Sequence, residues 1–70
     1  MDNKEYLKRI GANISKARKA KKLTIKEFGY LCDMEKSNII PIEKGRINIT
    51  ISTLLRIAKA LDIDVRELFN

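Results

Sequence analysis

The sequence predicts an all-α fold, a compact orthogonal bundle of five helices, and three observations carry that reading. Apolar residues recur at three- and four-residue spacing in five separate stretches, as the helical period requires. Residues able to cap a helix stand in front of four of them: Asp2, Thr24, Thr50 and Asp64. Glycine and proline are confined to Gly11, Gly29, Pro41 and Gly45, and no repeat or low-complexity run breaks the pattern. The connections left over are a few residues long, which favours short helices crossing one another over long antiparallel rods.

The first helix is expected over residues 3–21, with Leu7, Ile10, Ile14 and Ala17 on its inner stripe and Asp2 with Glu5 as a capping box. Gly11 lies inside it at a cost of about 1 kcal/mol relative to alanine, so a close backbone approach is expected there. Thr24 and Glu27 form a second box, opening a helix that carries Ile25, Phe28, Leu31 and Cys32 inward and ends near Cys32. Asp33 and Met34 make a short break. In the third helix Ile39 and Ile42 face inward, and Gly45 is placed to close it after Lys44 in a left-handed conformation. Thr50 caps the fourth, whose stripe is Ile51, Leu54, Ile57, Ala58 and Leu61, with Asp62 following. Asp64 and Glu67 open a last short helix that buries Val65 and Leu68, with Phe69 beside them.

Composition excludes most chemistry. Seventy residues make one domain, 1–70, with about 3.5–10 kcal/mol of total stability. With Cys32 alone and no histidine there is neither a disulfide nor a ligand set for a metal, and Ser15, Ser37 and Ser52 lack an imidazole base. The chain is therefore read as no enzyme, needing no cofactor and no metal. Cys32 itself reads as a small buried hydrophobe. No run approaches the roughly 20 apolar residues of a membrane span, the charged start lacks the core of a signal peptide, and a cytoplasmic setting is expected.

The net charge of +6 is uneven. Residues 1–22 hold Lys4, Lys8, Arg9, Lys16, Arg18, Lys19, Lys21 and Lys22 against only Asp2 and Glu5, and the remainder nearly balances. This excess makes a polyanion a plausible partner, nucleic acid or an acidic membrane surface, while a solvated helix face explains it equally well.

On a wheel of 100° per residue, Ile39 and Ile42 define the inner side of the third helix, so Ser37, Ile40, Pro41 and Lys44 point outward with Lys36 at the flank. A short helix held by two apolar residues and entered through a tight break is the arrangement that puts side chains in the DNA major groove. Arg18 falls on the apolar face of the first helix, where an unpaired guanidinium is costly, and Glu43 flanks the inner side of the third. A partly buried Arg18–Glu43 pair is expected to fasten the contact helix to the scaffold.

From Ile10 to Phe69 the sequence resembles the phage-repressor (Cro/Xre-type) helix-turn-helix family. The matching stretches are Ile10-Gly11 with Ile14 and Arg18, Leu23-Thr24, Ser37 to Ile39, Ile42-Glu43-Lys44-Gly45, Thr53 through Leu61, and Glu67-Leu68-Phe69. The resemblance implies a lambda-repressor-like domain whose second and third helices read double-stranded DNA, acting as a transcriptional regulator and dimer. It puts Lys36, Ser37 and Pro41 at base-facing positions with Ile40 beside them, Lys44 at a backbone-contact position, and Arg46 in a loop that approaches the backbone or minor groove. It also aligns the family's arginine–glutamate pair with Arg18 and Glu43. Asn38 joins these if the first turn is twisted toward a base.

Three residues depart from the family pattern: Ile25 where a glutamine is usual, Asp33 where the turn usually has glycine, and Pro41. Proline offers no N–H to the Ser37 carbonyl, so either the helix starts late with Ser37 as its cap or it is kinked. The function read from the sequence is a sequence-specific DNA-binding regulator, a repressor acting as a homodimer on a two-fold-related site. The alternative is a protein-interaction module or antitoxin component reusing the fold, favoured by the apolar Ile40-Pro41 pair. Ile47, Ile49, Ile63 and Phe69 exceed what so small a core needs, and form a self-association face or pack the loops.

Overall fold

The computed structural model describes residues 2–70. Four α-helices, α1 (Asn3–Ala20), α2 (Ile25–Cys32), α3 (Lys36–Glu43) and α4 (Ile51–Leu61), precede a terminal 3-10 turn, Val65–Phe69. The fifth helix anticipated in the sequence is this turn: five residues are too few for a run of i→i−4 bonds, and the tighter i→i−3 pattern takes over.

Side-chain caps start four of the five elements. Thr24 Oγ1 accepts from the Glu27 N–H at 3.0 Å and Glu27 returns the bond to the Thr24 N–H at 2.9 Å, which holds the Glu27 carboxyl below its usual range. Thr50 accepts from the Thr53 N–H at 3.1 Å. The Asp64–Glu67 box is complete, and Arg66 grips the Asp64 carboxylate with two bonds of 2.8 and 3.0 Å that lower its pKa to about 2. At α1 Asp2 accepts from the Glu5 N–H at 2.9 Å, and the reciprocal bond is absent among the described residues. Closing that box would bring two carboxylates together, which Arg66 makes tolerable at Asp64, whereas no ion pair to Asp2 is formed among the described residues.

All four α-helices end in the same way. Lys22, Asp33, Gly45 and Asp62 adopt left-handed φ of 59°, 56°, 69° and 56°. In each case the N–H of the next residue reaches back to the carbonyl five positions earlier: Leu23 to Arg18, Met34 to Gly29, Arg46 to Pro41 and Ile63 to Ala58, at 2.8–3.2 Å. These are Schellman closures, and they turn the chain sharply enough to make the bundle orthogonal. Leu23, Met34 and Ile63 then drop against the core as the apolar plug that usually accompanies the motif.

Ile10, Ile14, Phe28, Cys32, Ile39, Ile42, Leu54, Ile57, Ala58, Leu61 and Leu68 form the core. Burial pushes the Cys32 thiol up to about 11, against a weaker pull from Arg56, so it stays protonated at neutral pH. Two inward assignments are corrected. Leu31 is 52% exposed, because it lies roughly 110° around the wheel from the centre of the Ile25–Phe28–Gly29–Cys32 face. Ile51 is 65% exposed: it is the first residue of α4, and the groove it borders there is open to solvent. Tyr30 projects into solvent. Asn13 ties the C-terminal segment to α1 by donating to the Leu68 and Asn70 carbonyls at 2.9 and 2.7 Å.

Candidate nucleic-acid interface

The third helix is a poor helix by its own residues. It has eight of them, its N-cap Glu35 makes no side-chain bond, and Pro41 stands in its interior. It starts at Lys36, ahead of Ser37, so of the two geometries left open by proline the late start is not adopted. Pro41 removes one intrahelical bond, leaving the carbonyl of exposed Ser37 to water. Isolated helices of this length are marginal even without proline, so α3 exists because tertiary contacts hold it.

Three devices do so. Ile39 and Ile42 are buried beneath it. Its C-terminal end sits directly on the backbone of α1: a Cβ on Gly11 would lie 2.5 Å from the Ile42 carbonyl oxygen and 2.6 Å from that of Glu43, and one on Gly45 would lie 2.6 Å from Lys8 Cα. The close approach anticipated at Gly11 is therefore the seat of this helix. Finally, Arg18 Nε donates to Glu43 Oε2 at 2.7 Å and Nη2 to Oε1 at 3.2 Å, with both side chains about nine-tenths buried. Its third nitrogen, Nη1, donates to the Leu23 carbonyl at 2.7 Å, so one guanidinium joins the end of α1, the entry to α2 and the end of α3.

What the brace presents outward is a narrow stripe. Ser37, Pro41 and Lys44 follow one another at i, i+4 and i+7 opposite the buried pair, with Ile40 beside Pro41. Lys36 and Asn38 lie on the two flanks. Lys36, Ser37, Asn38, Lys44 and Arg46 are exposed, whereas Ile40 and Pro41 are half-buried. Glu43 is neutralised by Arg18, so Lys36, Lys44 and Arg46 outweigh Glu35 there. Lys8, Arg9, Lys16 and Lys19 are also exposed, on α1.

Arg46 stands out for a reason absent from the sequence pattern. It occupies the position after the left-handed residue where the other three helices place Leu23, Met34 and Ile63 against the core, yet it is exposed. The closure holds its backbone, with the N–H bonded to the Pro41 carbonyl at 2.9 Å, and directs a cation past the end of the stripe.

A second surface is apolar. Tyr6, Ile51 and Phe69 line one groove with Leu7 and Ile49, and Leu55, one turn beyond Ile51, is 51% exposed. Of the four residues singled out for self-association, Ile47 and Phe69 are exposed while Ile49 and Ile63 pack against the core. Ile51 was missed because a helical stripe counts as core until the opposing element is known, and Leu55 because it lies outside that stripe.

Among the described residues no helix is long and apolar enough to cross a membrane, and no cluster of histidine, cysteine and carboxylates could hold a metal. Residues 14–68 match the family model described as helix-turn-helix (HTH_3). No curated protein matches the chain. Among solved structures, the restriction-modification controller protein C.AhdI from Aeromonas hydrophila superposes with a TM-score of 0.86 and 33% identity, over 90% of this chain and 96% of that one. An HTH_3 family transcriptional regulator from Vibrio cholerae gives 0.91 and 25% identity over 97% of this chain, which spans 38% of that protein. The clp gene regulator ClgR from Corynebacterium glutamicum gives 0.86 at 21% identity, over 90% of this chain and 82% of that one.

Proposed function

The chain belongs to the HTH_3 helix-turn-helix family, and from that premise we propose that residues 1–70 act as one sequence-specific DNA-binding unit, a transcriptional repressor working as a symmetric dimer. The observation that carries the reading is the braced α3, a helix too weak to stand alone that is nonetheless held on three sides with Ser37, Pro41 and Lys44 outward. Lys36, Ser37 and Asn38 meet base edges at its N-terminal end, Ile40 and Pro41 occupy its middle, and Lys44 and Arg46 meet the phosphates. The description of C.AhdI as a controller protein supports a regulatory role.

Titration of duplex DNA at several salt concentrations tests this. Binding should favour one selected site over scrambled duplex and weaken steeply with salt. Lys36→Ala with Lys44→Ala should lower affinity and flatten the plot of log K against log salt by about 0.9 for each phosphate contact removed. Equal binding to all duplexes, or none at low salt, would refute the proposal and leave a protein-interaction module.

Size and the apolar groove support the dimer reading. Each chain presents one outward α3, so reading two half-sites about 34 Å apart on one face of DNA takes two copies. The exposed Ile51, Leu55, Phe69 and Tyr6 supply a face for the second copy. Leu55→Asp should give a monomer in sedimentation velocity and weaken operator binding by about 100-fold or more through lost bivalency. A dimer that survives this substitution places the interface elsewhere.

A further inference from the structure

The centre of the outward stripe carries no hydrogen-bonding group at all. Pro41 has no N–H and its ring no polar atom, Ile40 beside it is wholly apolar, and the polar members Ser37 and Lys44 stand at either end. Pro41 is four positions after Ser37 and Lys44 three after Pro41, about 6 and 4.5 Å along the axis, or one to two base pairs on each side. A groove read by this stripe therefore meets polar, apolar and polar contacts in that order.

In the major groove the base edges present donors and acceptors, and the one apolar group that projects from them is the C5-methyl of thymine, where cytosine shows only a C5–H. Pressing Pro41 and Ile40 against N7, O6 or an exocyclic amine would strip water from that atom and return no hydrogen bond. Against a methyl the same contact removes apolar surface from water. Both side chains are stiff, the proline ring by covalent closure and the β-branched isoleucine by its restricted χ1, and both are half-buried, so little freedom is lost on contact.

We infer that Pro41 and Ile40 are specificity-determining residues which select a pyrimidine C5-methyl group at the centre of each half-site, thymine in unmodified DNA. The inference rests on the DNA-reading role proposed above. A 5-methylcytosine carries the same methyl and is the second source of the same contact.

The test starts from the duplex that the protein enriches from a random pool, with each thymine replaced in turn by uracil, which removes only the methyl. At one or two positions per half-site the uracil duplex should bind about fourfold more weakly per methyl, with the other positions unchanged. At those positions 5-methylcytosine should bind more tightly than cytosine, which separates reading of the methyl from reading of the thymine O4. Pro41→Gln restores a backbone N–H and should fold; it, or Ile40→Ser, should abolish the thymine-over-uracil preference while leaving the salt dependence intact. Equal binding of every uracil duplex, or a preference that persists in both variants, overturns the inference while selective, salt-dependent binding would still stand. Failure to enrich any duplex overturns both.

Discussion

Glu43→Ala should lower the unfolding free energy by about 3–5 kcal/mol, measured by urea denaturation followed by circular dichroism. The substitution leaves the Arg18 guanidinium buried with only the Leu23 carbonyl as partner. An uncompensated cation in that setting cannot recover its hydration without opening the junction between α1, α2 and α3. For a chain of 70 residues the total is about 3.5–10 kcal/mol, so this single truncation removes roughly 30% of it or more. Replacing both members, Arg18→Met with Glu43→Leu, should be far milder, because no charge is then left behind. A loss under 1 kcal/mol for Glu43→Ala would mean that the pair behaves like an exposed one and does not brace α3.

Gly11→Ala should be the second most damaging change, although alanine is the better helix former by about 1 kcal/mol. The added Cβ would lie 2.5–2.8 Å from backbone atoms of Ile42 and Glu43. Backbone cannot rotate out of the way as a side chain can, so α3 must shift on its seat, at a cost of about 1–3 kcal/mol. That shift also moves Lys44 and Arg46 relative to α1, and DNA affinity should fall further than the loss of folded protein explains. An unchanged melting temperature together with unchanged binding would show that the α1–α3 contact is slack.

Much of the molecule is legible in its residues because the signals are local. Thr24 with Glu27 and Asp64 with Glu67 are boxes in the sequence and in the structure. Gly45 adopts the left-handed closure expected of it, and Asp33 the same conformation in the turn. The outward stripe of α3 follows from Ile39 and Ile42 alone. The left-handed Lys22 carries no such signature, whereas Asp62 is the same residue type as Asp33 and enters that region more readily than lysine.

The sequence by itself determined where α1, α2 and α4 begin, and which charge needed a partner, because capping, periodicity and the cost of a buried guanidinium act over a few residues. Only the tertiary structure decided that Leu31 and Ile51 stay in solvent, that the last element is a 3-10 turn, and that Arg46 is the one residue after a helix closure left outside the core. The physical reason is that an apolar residue is buried by what lies opposite it. A periodic stripe specifies which way a side chain points, but the surface that meets it comes from residues far away in the chain.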